Sequence, residues 1–233
     1  MDTMSMTSGA TMAMAGMPMC GQSWLGGAAS FLGMWTVMMG AMMLPSLAPR
    51  LWRYHRAVGG TGELSSSLLT AAVGAGYFLV WMLLGAAVYP VTSGIEALTT
   101  RYPPLAASVP VATGLVVLAA GALQLTKWKA LVLARCRDVC CRESHESVGT
   151  SFTNISGSWR HGLRLGLQCA QCCAGVTAAL LVTGMMDLPL MLAATGAITL
   201  ERLVPAGERV ARAAGALMMG GGCFLLLRAG GLG

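Results

Sequence analysis

Charge is scarce in this 233-residue chain: only 10% of its residues are Asp, Glu, Lys or Arg. Soluble domains carry about 25%, so a soluble domain of any size is excluded. The longest polar stretch, roughly 127–160, is too short for one. Histidine is scarcer still, with His55, His145 and His161 alone, so two bis-His haem sites are excluded. No Gly-x-x-x-x-Gly-Lys-Ser/Thr phosphate loop, no Gly-x-Gly-x-x-Gly and no His-Glu-x-x-His is present, and a Ser-His-Asp set has no local signature. A self-sufficient enzyme is therefore not the expectation. No Lys or Arg precedes the first apolar run, so the start lacks the charged region of a secretory signal peptide. Cys20 follows no apolar run of the kind a lipoprotein cleavage site needs, and the N-terminal tail is expected to be retained.

What is abundant is apolar length. The chain is 55% hydrophobic with a mean hydropathy of +0.67, which places it among membrane proteins. Six segments are long and apolar enough for a hydrocarbon core of about 30 Å: near 24–47, 67–90, 105–126, 162–184, 187–203 and 210–229. Gly, Ala, Ser and Thr recur through all six and suit close helix packing in lipid. The expected fold is all-α: a Met-rich outer tail over 1–22, then a six-helix membrane domain over 23–233 with an inner Cys-containing loop near 127–160.

The basic residues orient that bundle. Arg50, Arg53 and Arg56 follow the first segment; Lys127, Lys129, Arg135, Arg137, Arg142, Arg160 and Arg164 lie around the 127–161 loop; Arg202, Arg209 and Arg212 precede the last segment. Only Arg101 and Arg228 fall on the other side. By the positive-inside rule both termini face outward across a cytoplasmic (inner) membrane. The net charge of +6 then reflects topology, and no nucleic-acid partner is expected.

Sulfur is the second abundance. Twelve of eighteen Met lie in the first forty-three residues, and Met4/Met6, Met12/Met14 and Met17/Met19 are Met-x-Met pairs leading to Cys20. Thioethers and thiolates are soft ligands that select Cu(I), and a tail of Ser, Thr, Gly and Ala can fold them around an ion. Met34, Met38 and Met42 form an i, i+4, i+8 ridge on the first helix, with Met39 and Met43 beside it. Eight Cys are unusual for so small a bundle. Cys136, Cys140 and Cys141 follow the third segment, while Cys169, Cys172 and Cys173 occupy i, i+3 and i+4 of the fourth and share a face. The inner side is reducing, so free thiols are expected there rather than disulfides. Three thiolates suit Cu(I) or, with a fourth ligand such as His161 or His145, Zn(II). The competing reading is that buried Cys and Met are adaptable core filler. Asp187 is read as a cap for the fifth helix, with Pro189 early in it, and Glu201-Arg202 as an interfacial pair.

Several strings together resemble a bacterial family of predicted metal-binding integral membrane proteins (domain of unknown function 2182). Ala41-Met42-Met43-Leu44-Pro45 is similar to its Met-Met-Leu-Pro signature, and Gln124-Leu125-Thr126, Lys129 and Cys136-Arg137 to its Leu-Thr-Pro-Leu-Lys segment with a following Cys-Arg. Cys169, Cys172 and Cys173 match a Cys-x-Gly-Cys-Cys element, with Gln171 in place of Gly. Gly184, Met186, Asp187, Leu188 and Met191 resemble a Gly-x-Met-Asn-Leu-x-x-Met string, and Glu201-Arg202 with Pro205 and Gly207 its Glu-Lys-x-x-Pro-x-Gly ending. Val132 stands where that family usually has a Cys. The resemblance implies a metal-binding membrane protein and no particular activity.

The leading expectation is a copper-handling membrane protein in which Met12, Met14, Met17, Met19 and Cys20 capture Cu(I) outside. Cys136, Cys140, Cys141, Cys169, Cys172, Cys173 and His161 then hold or pass it within. Its partners would be membrane lipid, copper-enzyme subunits or a periplasmic copper chaperone. One alternative is a non-catalytic accessory subunit of a membrane copper enzyme such as a copper-dependent monooxygenase or oxidase. Another is a membrane thiol oxidoreductase built on the Cys pairs.

Overall fold

The computed structural model describes residues 24–59, 62–142, 154–184, 187–204 and 206–231, of which 63 and 137–142 by backbone alone. These residues form seven helices: α1 (Trp24–Val58), α2 (Glu63–Arg101), α3 (Pro103–Leu125), α4 (Lys127–Arg142), α5 (Ile155–Thr183), α6 (Leu188–Leu203) and α7 (Gly207–Ala229). The methionine tail with Cys20, together with His145, Met185 and Met186, falls outside the described residues.

Five helices, α1, α2, α3, α5 and α7, are long and apolar enough to cross a membrane. The segment expected as the fifth of six spans, α6, is 16 residues long, about 24 Å at 1.5 Å per residue, and is not among them. The stretch read as an inner loop begins with the 16-residue α4. Thr126, extended at φ −74° and ψ 151°, separates α4 from α3.

The distribution of polarity is inverted relative to a water-soluble fold. Leu217, Val37 and Leu115 are exposed at 78, 74 and 56%, whereas Glu201, Lys129, Gln124 and Arg202 are buried. An apolar outer surface this extensive needs lipid around it. The bundle is a membrane protein whose hydrogen-bonding groups turn inward.

Small residues set the helix spacing. A Cβ placed on Gly162 of α5 would collide with the Val73 carbonyl of α2, so only glycine allows that crossing. On the other side of the bundle, a Cβ on Gly121 of α3 would stand 2.9 Å from the Gly215 carbonyl oxygen of α7. Close backbone approach of this kind replaces the missing hydrophobic drive between helices in lipid. The main core then fills with Trp35, Met39, Met42 and Met43 from α1, Val73 and Tyr77 from α2, Cys169 and Cys173 from α5, and Ile198 from α6. Trp35 anchors α1 by donating its indole N–H to the Trp81 carbonyl oxygen at 2.9 Å.

Basic residues of several helices share one end. Tyr54 near the end of α1 reaches Ser158 near the start of α5 at 2.8 Å. Arg50 bonds the Cys136 carbonyl of α4, and Lys127 and Arg212 line one cleft. As expected, Asp187 caps α6: its Oδ1 accepts the Leu190 N–H at 3.2 Å, and Pro189 occupies the first turn.

Candidate metal centre

Cys169 lies midway along α5, where the Gly162 crossing draws α2 close. The Tyr77 hydroxyl therefore stands 2.8 Å from Cys169 Sγ. From α1, Met43 Sδ comes within 3.7 Å of the same sulfur. From α6, Arg202 Nη2 donates to Cys169 Sγ at 3.0 Å, to Cys173 Sγ at 3.2 Å and to the Cys169 carbonyl at 3.2 Å. Its Nη1 lies 3.4 Å from Ser46 Oγ, and Ser46 itself donates to the Met43 carbonyl. Two thiols, one thioether and one guanidinium thus share a buried cluster; Met43 is 0% and Cys169 and Cys173 1% exposed.

The three thiols expected on one face divide between two neighbours. At 100° per residue, Cys173 sits 40° to one side of Cys169 and Cys172 about 60° to the other. Cys169 and Cys173 interact with each other and face α1 and α6. Cys172 turns toward α4, where its thiol pairs with that of Cys136 beside Val132 and Leu133. Cys136 Sγ also reaches the Gln168 carbonyl at 3.6 Å. Pairing with Cys172 and burial together hold the Cys136 thiol well above the ordinary thiol range. Cys136, Cys169, Cys172 and Cys173 are free thiols. Cys140 and Cys141 lie on α4 a turn beyond Cys136, their side chains outside the described residues.

His161 does not join the thiols. It lies two turns before Cys169, about 12 Å along the axis, and its ring stacks on Tyr54 with centroids 5.8 Å apart. Among the described residues no three His, Cys, Asp or Glu side chains gather as a metal cage. Zinc takes four ligands in a structural site, and no such set is present among the described residues. Cu(I) accepts fewer and softer donors, and two thiolates with a thioether suit it.

A second polar cluster backs the first. Lys129 and Glu201 form an ion pair at 2.9 Å with both side chains almost fully buried. Gln124 donates to Glu201 Oε1 at 3.0 Å, and Lys129 Nζ donates to the Cys172 carbonyl at 2.6 Å. Glu201 and Arg202 are therefore not the mutual pair read from the sequence. Consecutive helical residues point 100° apart, so Glu201 serves the α4 side while Arg202 serves the thiols. Sequence reasoning passed over Arg202, Lys129, Gln124 and Tyr77 as site residues. The available signal was a charge buried at membrane depth, which is costly unless it does something.

An apolar exterior and an interior of sulfur donors beside a buried guanidinium define a helical membrane protein with a soft-donor centre. The chain belongs to the PpoB2 copper chaperone family, which it matches over residues 32–225. That match spans α2 through α6 and most of α1 and α7. It bears out the expected metal-binding, copper-related family, and does not itself carry the name domain of unknown function 2182. No curated protein and no solved structure matches the chain.

Proposed function

We propose that this protein is a membrane-embedded chaperone that holds Cu(I) between the Cys169 and Cys173 thiolates, with the Met43 thioether as a third donor, and delivers it to a copper enzyme. The observation that carries the reading is Arg202 Nη2 at 3.0 and 3.2 Å from the two sulfurs. A bis-thiolate complex of a monovalent ion has one net negative charge, and a buried charge without compensation is expensive. The Arg202 cation cancels it in place. Among the described residues no carboxylate bonds Arg202, a poor arrangement for stability alone but one that suits an anion that forms when metal arrives.

Copper is the cargo. Each thiol that binds it releases a proton, and the metal stays Cu(I). The methionine tail, with Met12, Met14, Met17, Met19 and Cys20, would lie on the outer side if the basic end of the bundle faces the cytoplasm, as the positive-inside rule favours. There it would exchange Cu(I) with periplasmic partners, and the protein would sit in the inner membrane. Membership in a copper chaperone family supports delivery over catalysis.

The test is competition between purified protein and a Cu(I) chelator under anaerobic conditions. Wild type is expected to hold one more tightly bound Cu(I) per chain than Cys169→Ser/Cys173→Ser. Equal stoichiometry and affinity in the two proteins would overturn the assignment.

A further inference from the structure

The pair Cys136–Cys172 is not used by the site just described. Both residues are buried, at 1 and 2%, and pack with Val132 and Leu133 into a small core of their own between α4 and α5. This pair also has its own cation: Arg50 Nη2 donates to the Cys136 carbonyl at 3.2 Å, from a partly exposed position. Lys129 adds its ammonium at the Cys172 carbonyl, but Glu201 already neutralises it. Charge compensation here is thus weaker than on the other flank, where Arg202 bonds the sulfurs directly.

Access differs as well. A cleft of about 80 Å³ opens at the break between α3 and α4, lined by Thr126, Lys127, Lys129, Leu133, Glu208 and Arg212. Two of those residues, Lys129 and Leu133, abut the second thiol pair. Cys172 and Cys173 are consecutive on α5, so the two pairs share one helical turn.

We infer that Cys136 and Cys172 form a second Cu(I) site, weaker than the first, through which copper exchanges between the basic end of the bundle and the Cys169/Cys173 site. The inference rests on the reading that Cys169 and Cys173 hold copper. In the exchange Cu(I) keeps its oxidation state: the thiols that receive it release their protons, and the thiols that lose it take protons up.

The full chain, purified in detergent and reduced, is titrated with Cu(I) against a competing chelator. Cys136→Ser is expected to remove the weaker of two bound ions and leave the tighter one. Glu201→Gln leaves Lys129 uncompensated beside Cys172 and is expected to tighten the weaker site by about tenfold or more, and by more than the tighter one, because a cation a few Å away favours a thiolate complex. A gain of affinity cannot come from misfolding, so this variant decides the matter if Cys136→Ser loses both ions. Unchanged binding in Cys136→Ser, or no tightening in a Glu201→Gln protein that still holds the tighter ion, would overturn the second site. A full copper complement in Cys169→Ser/Cys173→Ser would instead overturn the first site.

Discussion

Arg202 donates to the Cys169 sulfur at 3.0 Å from inside a bundle whose outer surface is apolar. Along with the hydroxyl of Tyr77 and the thioether of Met43, it makes Cys169 the meeting point of four helices. Removing the guanidinium leaves a bis-thiolate copper complex uncompensated. Arg202→Met is therefore expected to weaken Cu(I) binding at least about tenfold, a loss of about 1.4 kcal/mol. Arg202→Lys should recover part of it, since the charge returns without the planar fork whose Nη2 bonds both sulfurs while Nη1 reaches Ser46. Chelator competition on both variants checks the ordering.

The Lys129–Glu201 pair gives a stability prediction. Deleting one member of a buried pair strands the other charge and costs about 3–5 kcal/mol, whereas replacing both with apolar groups can be neutral. Glu201→Ala should lower the unfolding temperature in detergent sharply, and Lys129→Met/Glu201→Met should be closer to wild type. A double variant worse than both single ones would contradict this account of the pair.

Met43 separates a ligand from a spacer. Met43→Leu conserves volume and should change stability by less than about 1.5 kcal/mol, yet it removes the thioether 3.7 Å from Cys169 Sγ. Weaker copper binding with little change in unfolding temperature is the expected combination. Lost stability with unaltered copper affinity would make Met43 core filler.

Gly162 tests how the site is positioned. A methyl at this position meets the Val73 carbonyl, and overpacking of this kind costs about 1–3 kcal/mol. Gly162→Ala should loosen the α2–α5 crossing and lengthen the Tyr77–Cys169 contact, read as lower thermal stability and faster alkylation of Cys169.

Much of this was legible in the sequence because membrane and helix patterns are local. The apolar segments, the Asp187 cap and the sulfur-rich stretches follow from composition and a 3.6-residue period. The short α6 was harder to judge. Its apolar composition reads as a span, and only packing shows that it ends beside Cys169 with Arg202 turned inward. The division of Cys172 from Cys169 and Cys173 was hidden for a related reason. A shared face says that residues are near one another, while the neighbouring helices decide which partner each one meets. Lys129 and Glu201 are 72 residues apart, and no sequence period links them.

The most direct measurement is X-ray absorption at the copper edge of full-length protein loaded with one equivalent of Cu(I) and desalted. Copper bound at Cys169 and Cys173 should give a Cu(I) edge with a sulfur-only first shell, and Cys169→Ser/Cys173→Ser treated identically should retain much less copper. The same copper content and the same first shell in both proteins would contradict copper binding by this thiol pair.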